Sequence, residues 1–141
     1  MRVLALDIGE RRIGVAVSDP LGLFARPLCT VERASKADDF AAIGALVAEH
    51  AVERVVVGLP LTLRGEMGPQ ACQIDRYAEA LAAALPVPVT LWDERYSTSE
   101  AADIIQQSHR KHRERGEIDA VAAAVILQGF LDSRTVLEEN V

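Results

Sequence analysis

The chain has 141 residues, 50% of them hydrophobic, with 21 acidic and 15 basic side chains and a formal net charge of −6 at pH 7. That length and apolar content suit one domain with a full core, and no apolar run approaches the ~20 residues of a membrane span. The acidic balance argues against wholesale coating of nucleic acid and leaves a local site open.

The start enters a strand pattern directly, without a signal peptide's apolar region or cleavage site, so a soluble, cytoplasmic protein with no membrane partner is expected. Val3 to Ile8 and Ile13 to Ser18 read as strands joined by the tight turn "GERR", and "LFARPLCTVE" continues as a third, with Pro27 favouring an edge position. Phe40, Ile43, Leu46, Val47 and Ala51 then recur at helical spacing behind Ser35 and Asp38, giving a first helix that ends near His50. "VERVVVGLP" is a short, continuous apolar run from Val55, the pattern of a strand buried on both faces, stopped by Gly58 and Pro60. A second helix starts at Pro69 and is terminated by Pro86 and Pro88. "VTLW" is the fifth strand and runs into "DERYSTSE", where Ser97 and Glu100 have capping-box spacing for a helix through about Gln107. A basic loop follows, and Ile118 to Leu131 forms the last helix.

The order predicts an α/β fold: a three-strand antiparallel meander, then two strands reached by right-handed parallel crossovers, five strands in a mixed sheet flanked by helices. One domain is expected over 1–133, with 134–141 as a loose C-terminal tail. Cys29 and Cys72 lie in different segments without CxxC spacing and read as buried thiols.

Three acidic positions resist a purely structural reading. Asp7 sits inside the first strand, on the face of Val3 and Ala5, where an unpaired charge is costly. The pair Asp93–Glu94 ends the "VTLW" strand, and only one of the two can reach a given face. Asp119 lies above Ala122, Ala123 and Ile126 on the apolar side of the last helix, and the small residues Ala120 and Ala122 to Ala124 allow that helix to approach the sheet and bring Asp119 towards Asp7. Carboxylates gathered from separate segments repel one another unless a cation intervenes, and all-oxygen ligation suits Mg²⁺ or Mn²⁺. Two such ions about 3.5–4 Å apart stabilise both the attacking and the leaving oxygen of a phosphoryl displacement. The alternative for each acid is a cap, a surface group or half of a salt bridge, with Arg11, Arg12 or Arg95 as partner.

The segments "LDIGERRIGVAVSD", "VVGLPLTLRG", "DERYST" and "IDAVAAAVILQGFL" stand in order from Leu4 to Leu131. They resemble the YqgF/RuvX family of RNase H-like nucleases, relatives of the RuvC Holliday-junction resolvases. The resemblance implies an RNase H-like sheet and a nuclease that uses two Mg²⁺ or Mn²⁺ ions. Its catalytic and metal-binding residues would be Asp7, Glu94 and Asp119. Its substrates would be the 5′ end of pre-16S ribosomal RNA or branched DNA, and a homodimer is expected by analogy with resolvases. Glu117 departs from the family, which tends to be basic there. In the usual strand order Glu94 must reach Asp7 from one strand further away, across a fourth strand that ends in Gly58, Leu59 and Pro60 and offers no acid.

Nucleic-acid contacts are expected from Arg11, Arg12 and Arg95, which could grip phosphate or equally hold the carboxylates in place. The segment "HRKHRER" places Arg110, Lys111, Arg113 and Arg115 within seven positions, a phosphate-contacting arm in its functional reading and a solvated loop in its bland one. His109 and His112, among those arginines, read as part of the loop rather than as metal ligands. Gly58 and Gly65 are candidates for close approach of a nucleic-acid backbone, and Trp92 reads as core more readily than as a base-stacking platform. Two rivals stand beside the nuclease. "DIGERRIG" also looks like the first phosphate-binding turn of the actin and sugar-kinase group, which would make the chain an ATP-binding module, although that group pairs two such domains in a longer chain. A non-catalytic RNA-binding factor in ribosome assembly would keep the fold without the chemistry.

Overall fold

The computed structural model describes residues 1–96, 103, 105 and 115–139, the side chains of 115–117 and 135–139 excepted. Its strands are β1 (Val3–Ile8), β2 (Arg12–Ser18), β3 (Ala25–Glu32), β4 (Arg54–Leu59) and β5 (Val89–Asp93), and its helices are α1 (Lys36–Glu49), α2 (Pro69–Ala84) and α3 (Arg115–Glu139). A single 3₁₀ turn, Glu94–Tyr96, follows β5 directly. The sheet order is β3-β2-β1-β4-β5. β1, β2 and β3 form the antiparallel meander, while β4 and β5 run parallel to β1, as the sequence predicts. β3 is one of the two edge strands, and its pairing with β2 shifts register between Val15 and Ala16, where Cys29 gives way to Pro27. Proline has no N–H for the ladder, so an edge bulge is where it fits.

Strand alternation divides the core in two. Leu4, Leu6 and Ile8 of β1 and Val55, Val57 and Leu59 of β4 point to the layer formed by α1 and α2, with Ile43, Val47, Ile74 and Leu81. Val3, Ala5, Ala16 and Val56 point to the other face and meet Ala123, Ala124, Leu127 and Phe130 of α3. The second face is made of smaller side chains, so α3 lies closer to its strands than a Leu- or Ile-faced pair would allow.

α1 is capped as expected, Ser35 Oγ accepting from the Asp38 N–H at 3.1 Å. α3 is longer than its sequence pattern suggests. It begins at Arg115 and runs through Glu139, so that 134–139 is helical and not a loose tail. Beyond Phe130 and Leu131 the sequence has neither proline nor glycine to stop it, and residues such as Leu137 and Glu138 propagate a helix well. The helix expected from Ser97 to Gln107 lies almost wholly outside the described residues. The exceptions are Asp103, helical and exposed, and Ile105, helical and buried against the α3 layer. Cys29 and Cys72 are half-buried and free, less enclosed than the sequence suggests, and burial pushes the Cys29 thiol up. No described helix is long and apolar enough to cross a membrane.

Candidate active site

Asp7 occupies the face of β1 that carries Val3 and Ala5, beneath α3, one residue from the strand's end. Its partner across the antiparallel ladder is Gly14 of β2. A Cβ on Gly14 would collide with the backbone carbonyl of Asp119 and lie 3.1 Å from the Ala120 nitrogen. The bare glycine therefore lets the first turns of α3 rest on β2 beside Asp7, with Ala120, Ala123 and Ala124 continuing the close contact. Convergence of Asp119 on Asp7, expected from the alanines of the helix, depends equally on this glycine of the sheet.

Glu94 arrives from the far side. β4 separates β5 from β1, and Gly58 of β4 pairs with Trp92. A Cβ on Gly58 would lie 2.7 Å from Glu94 Oε1 and 2.6 Å from Ile126 Cδ1. Gly58 thus opens the space through which Glu94 crosses an intervening strand towards Asp7. Its closest contacts are these two side chains, so the room that the sequence reading reserves for a nucleic-acid backbone is taken here by Glu94. Asp93, the other acid of the pair, is engaged elsewhere. Arg95 Nη2 donates to Asp93 Oδ2 at 2.6 Å and Arg95 Nε to both oxygens at 2.9–3.0 Å. That guanidinium holds the Asp93 carboxyl below the usual range.

The electrostatics follow from the placement. Burial, reinforced by the charge of Asp119, raises the Asp7 pKa above its ordinary 3.8. Burial again, then Asp7 and Asp93, raises Glu94 above 4.5. Asp119 is a third exposed at its side chain and accepts from Arg12 Nε at 3.0 Å. Among the described residues no three acidic, histidine or cysteine side chains stand close enough to ligate one ion. Arg12 holds one oxygen of Asp119, and the charges of Asp7 and Glu94 repel each other. Hard oxygen donors whose charges oppose one another are nevertheless the donor set a divalent cation of the magnesium type requires.

Of the basic residues expected to contact nucleic acid, Arg12 neutralises Asp119 and Arg95 neutralises Asp93, while Arg11 stands exposed in the β1–β2 turn. Gly65 has φ +80°, closes a turn through its N–H to the Thr62 carbonyl at 2.8 Å, and packs where a Cβ would lie 3.2 Å from the Arg95 guanidinium. Turn geometry thus accounts for it. Arg110, Lys111, Arg113, His109 and His112 lie outside the described residues, as does the side chain of Arg115. Trp92 is half-buried and packs edge-on against Phe130, ring centroids 5.6 Å apart, which is the core reading.

The sequence profile of the RuvX family, described as Holliday junction resolvase, matches residues 1–133. A protein of Chloroflexus aggregans named "Putative pre-16S rRNA nuclease" is 49% identical over 133 residues, 94% of each chain. One of the same name from Myxococcus xanthus is 47% identical over 94% of this chain and 89% of its own. Among solved structures, Thermus thermophilus RuvC superposes with a TM-score of 0.64 at 19% identity, over 96% of this chain and 97% of that one. The fowlpox virus Holliday junction resolvase superposes at 0.56 and 10% identity, over 94% and 99%. At these identities the structural likeness establishes the RNase H-like fold of the RuvC type, and the sequence matches establish the kinship.

Proposed function

We propose that this chain, which belongs to the RuvX family, is a divalent-metal-dependent nuclease that cleaves phosphodiester bonds in structured nucleic acid. The observation that carries the proposal is the gathering of Asp7, Glu94 and Asp119 from three separate segments, through two glycines whose side chains would block it. Burial and mutual repulsion leave Asp7 and Glu94 less acidic than usual, a perturbation that clusters at functional sites.

Asp7, Glu94 and Asp119 would hold Mg²⁺ or Mn²⁺, most simply as two ions, which supply a polarised phosphate and a water acidified enough to attack it. The protein does the rest. β1 and α3 fix Asp7 and Asp119 on rigid elements, Glu94 reaches in over Gly58, and Arg12 keeps Asp119 compensated before the ion arrives. Exposed Arg11, with the basic segment around Arg110, Lys111, Arg113 and Arg115, would take the phosphate backbone and give salt-sensitive, sequence-independent affinity.

The names carried by close relatives favour the 5′ end of pre-16S ribosomal RNA as substrate. Branched DNA is the second reading, favoured by the description of the family profile and by the existence of a Thermus thermophilus RuvC complex with Holliday junction substrate. A cleavage panel tests both. Purified protein is incubated with a pre-16S leader RNA and with a four-way DNA junction, in Mg²⁺, Mn²⁺ or chelator. Metal-dependent cleavage of the RNA is expected. Binding without cleavage under either ion would favour the assembly factor, and saturable ATP binding by calorimetry would favour the kinase-like module.

A further inference from the structure

Across the sheet from the three carboxylates, at the same end of β1, lies a cavity of about 310 Å³, near the lower end of the ~300–1,000 Å³ typical of small-molecule sites. Arg33, Lys36 and Arg76 line it, against one acid, Glu10. Among the described residues neither Lys36 nor Arg76 forms an ion pair.

The third cation is positioned from beneath. Asp39, 2% exposed, accepts from the Tyr77 hydroxyl at 2.9 Å and the Ala34 N–H at 2.8 Å, and its Oδ2 lies 3.9 Å from Arg33 Nε. The Arg33 guanidinium sits 5.0 Å over the Tyr77 ring and donates to the Gly9 carbonyl at 2.8 Å. A buried carboxylate thus orders an arginine on the wall of an open cavity. Gln70 and Gln73 add amide donors from the start of α2. That helix opens at Gly68 without a side-chain cap and with Pro69, which has no N–H, as its first residue.

We infer that this cavity binds a phosphate group carried by a nucleotide unit. Two cations without an ion pair among the described residues, a preset guanidinium and two side-chain amides are complementary to a phosphate. The cavity also reaches the carboxylate site through the backbone. Arg33 N–H donates to the Arg11 carbonyl at 2.8 Å, and Gly9 N–H to the Arg12 carbonyl at 2.9 Å. The turn that Arg33 grips is therefore the one that presents Arg12 to Asp119.

The phosphate could belong to a free nucleotide or to a polynucleotide strand. Only the second source rests on the nuclease reading. The test follows the amide resonances of Gly9, Gln70 and Gln73 while AMP, adenosine or a short single-stranded oligoribonucleotide is added in chelator, which silences any metal-bridged binding at the carboxylates. Saturable shifts with AMP but not adenosine are expected, weakened about tenfold or more in the Lys36→Gln/Arg76→Gln double variant. Tighter binding of the oligonucleotide would assign the site to substrate, and binding of AMP alone would assign it to free nucleotide. Absence of saturable shifts with both phosphate-bearing probes, or equal affinity in the double variant, would overturn the inference and leave the nuclease reading standing.

Discussion

Asp7 and Gly14 face each other across β1 and β2, and the missing side chain of Gly14 is what allows the backbone of Asp119 to settle beside Asp7. Gly14→Ala puts a methyl group into the Asp119 carbonyl, which is backbone and cannot swing away. Helix α3 must lift. Denaturant unfolding should show a loss of at least about 1–3 kcal/mol, accompanied by loss of cleavage. Gly44 on α1 is the contrast, because a Cβ there would meet only Leu85 Cδ2 at an ordinary 3.7 Å. Gly44→Ala should leave the protein unchanged or stabilise it by about 0.5–1 kcal/mol.

Gly58→Ala should separate activity from stability. The new methyl group would stand 2.7 Å from Glu94 Oε1 and 2.6 Å from Ile126 Cδ1, both ends of side chains that can give way. The fold should survive with a modest loss of stability, while Glu94 is displaced from its crossing towards Asp7. Cleavage rate and melting temperature measured on one preparation check this. A fully active Gly58→Ala protein would mean that Glu94 does not need its observed position.

Much of this geometry was legible from the chain alone. Period-two alternation puts Asp7 on the Val3 and Ala5 face, and helical spacing puts Asp119 above Ala123 and Ile126, and both placements hold. That Glu94 must cross the fourth strand was legible, but not that Gly58 makes the room for it, because Gly58 reads in sequence as a strand terminator or a point of approach for a nucleic-acid backbone. A glycine inside an apolar strand flanked by two acid-bearing strands is the signal that could have found it. Asp39 escaped notice for another reason. In sequence it is one of two acids in the first turn of a helix, and only the packing of α2 shows that it is buried beneath Tyr77. The cavity lined by Arg33, Lys36 and Arg76 needs the same long-range contact.

The raised pKa values of Asp7 and Glu94 carry a definite sign. Well below the ordinary values of 3.8 and 4.5, both groups are protonated folded and unfolded, and they cost nothing. As pH rises from there through the raised folded values, the unfolded chain gives up its protons first, so stability falls, and above that window the whole penalty remains. Asp7→Asn should therefore raise the melting temperature at pH 7 in chelator. Mg²⁺ or Mn²⁺ should stabilise the wild type more than this variant. Thermal melts with and without metal at pH 7 distinguish this from a purely structural Asp7, whose replacement would lower the melting temperature.

Arg12→Gln removes the cation beside Asp119. Both side chains are a third exposed, so the pair contributes modestly, and a stability loss below about 1 kcal/mol is expected. Without its competitor, Asp119 should be freer to ligate, and calorimetric titration should show Mn²⁺ affinity equal to or tighter than wild type. Weaker Mn²⁺ binding in Arg12→Gln would show that the arginine organises the acids rather than competing for them.

Convergence of the three acids on a cation is tested most directly by a crystal soaked in manganese and measured at the manganese absorption edge. Anomalous density bounded by the carboxylates of Asp7, Glu94 and Asp119 is expected, with Asp119 turned from Arg12. Manganese bound only elsewhere, or Asp119 still held by Arg12 with no ion between it and Asp7, would contradict the site.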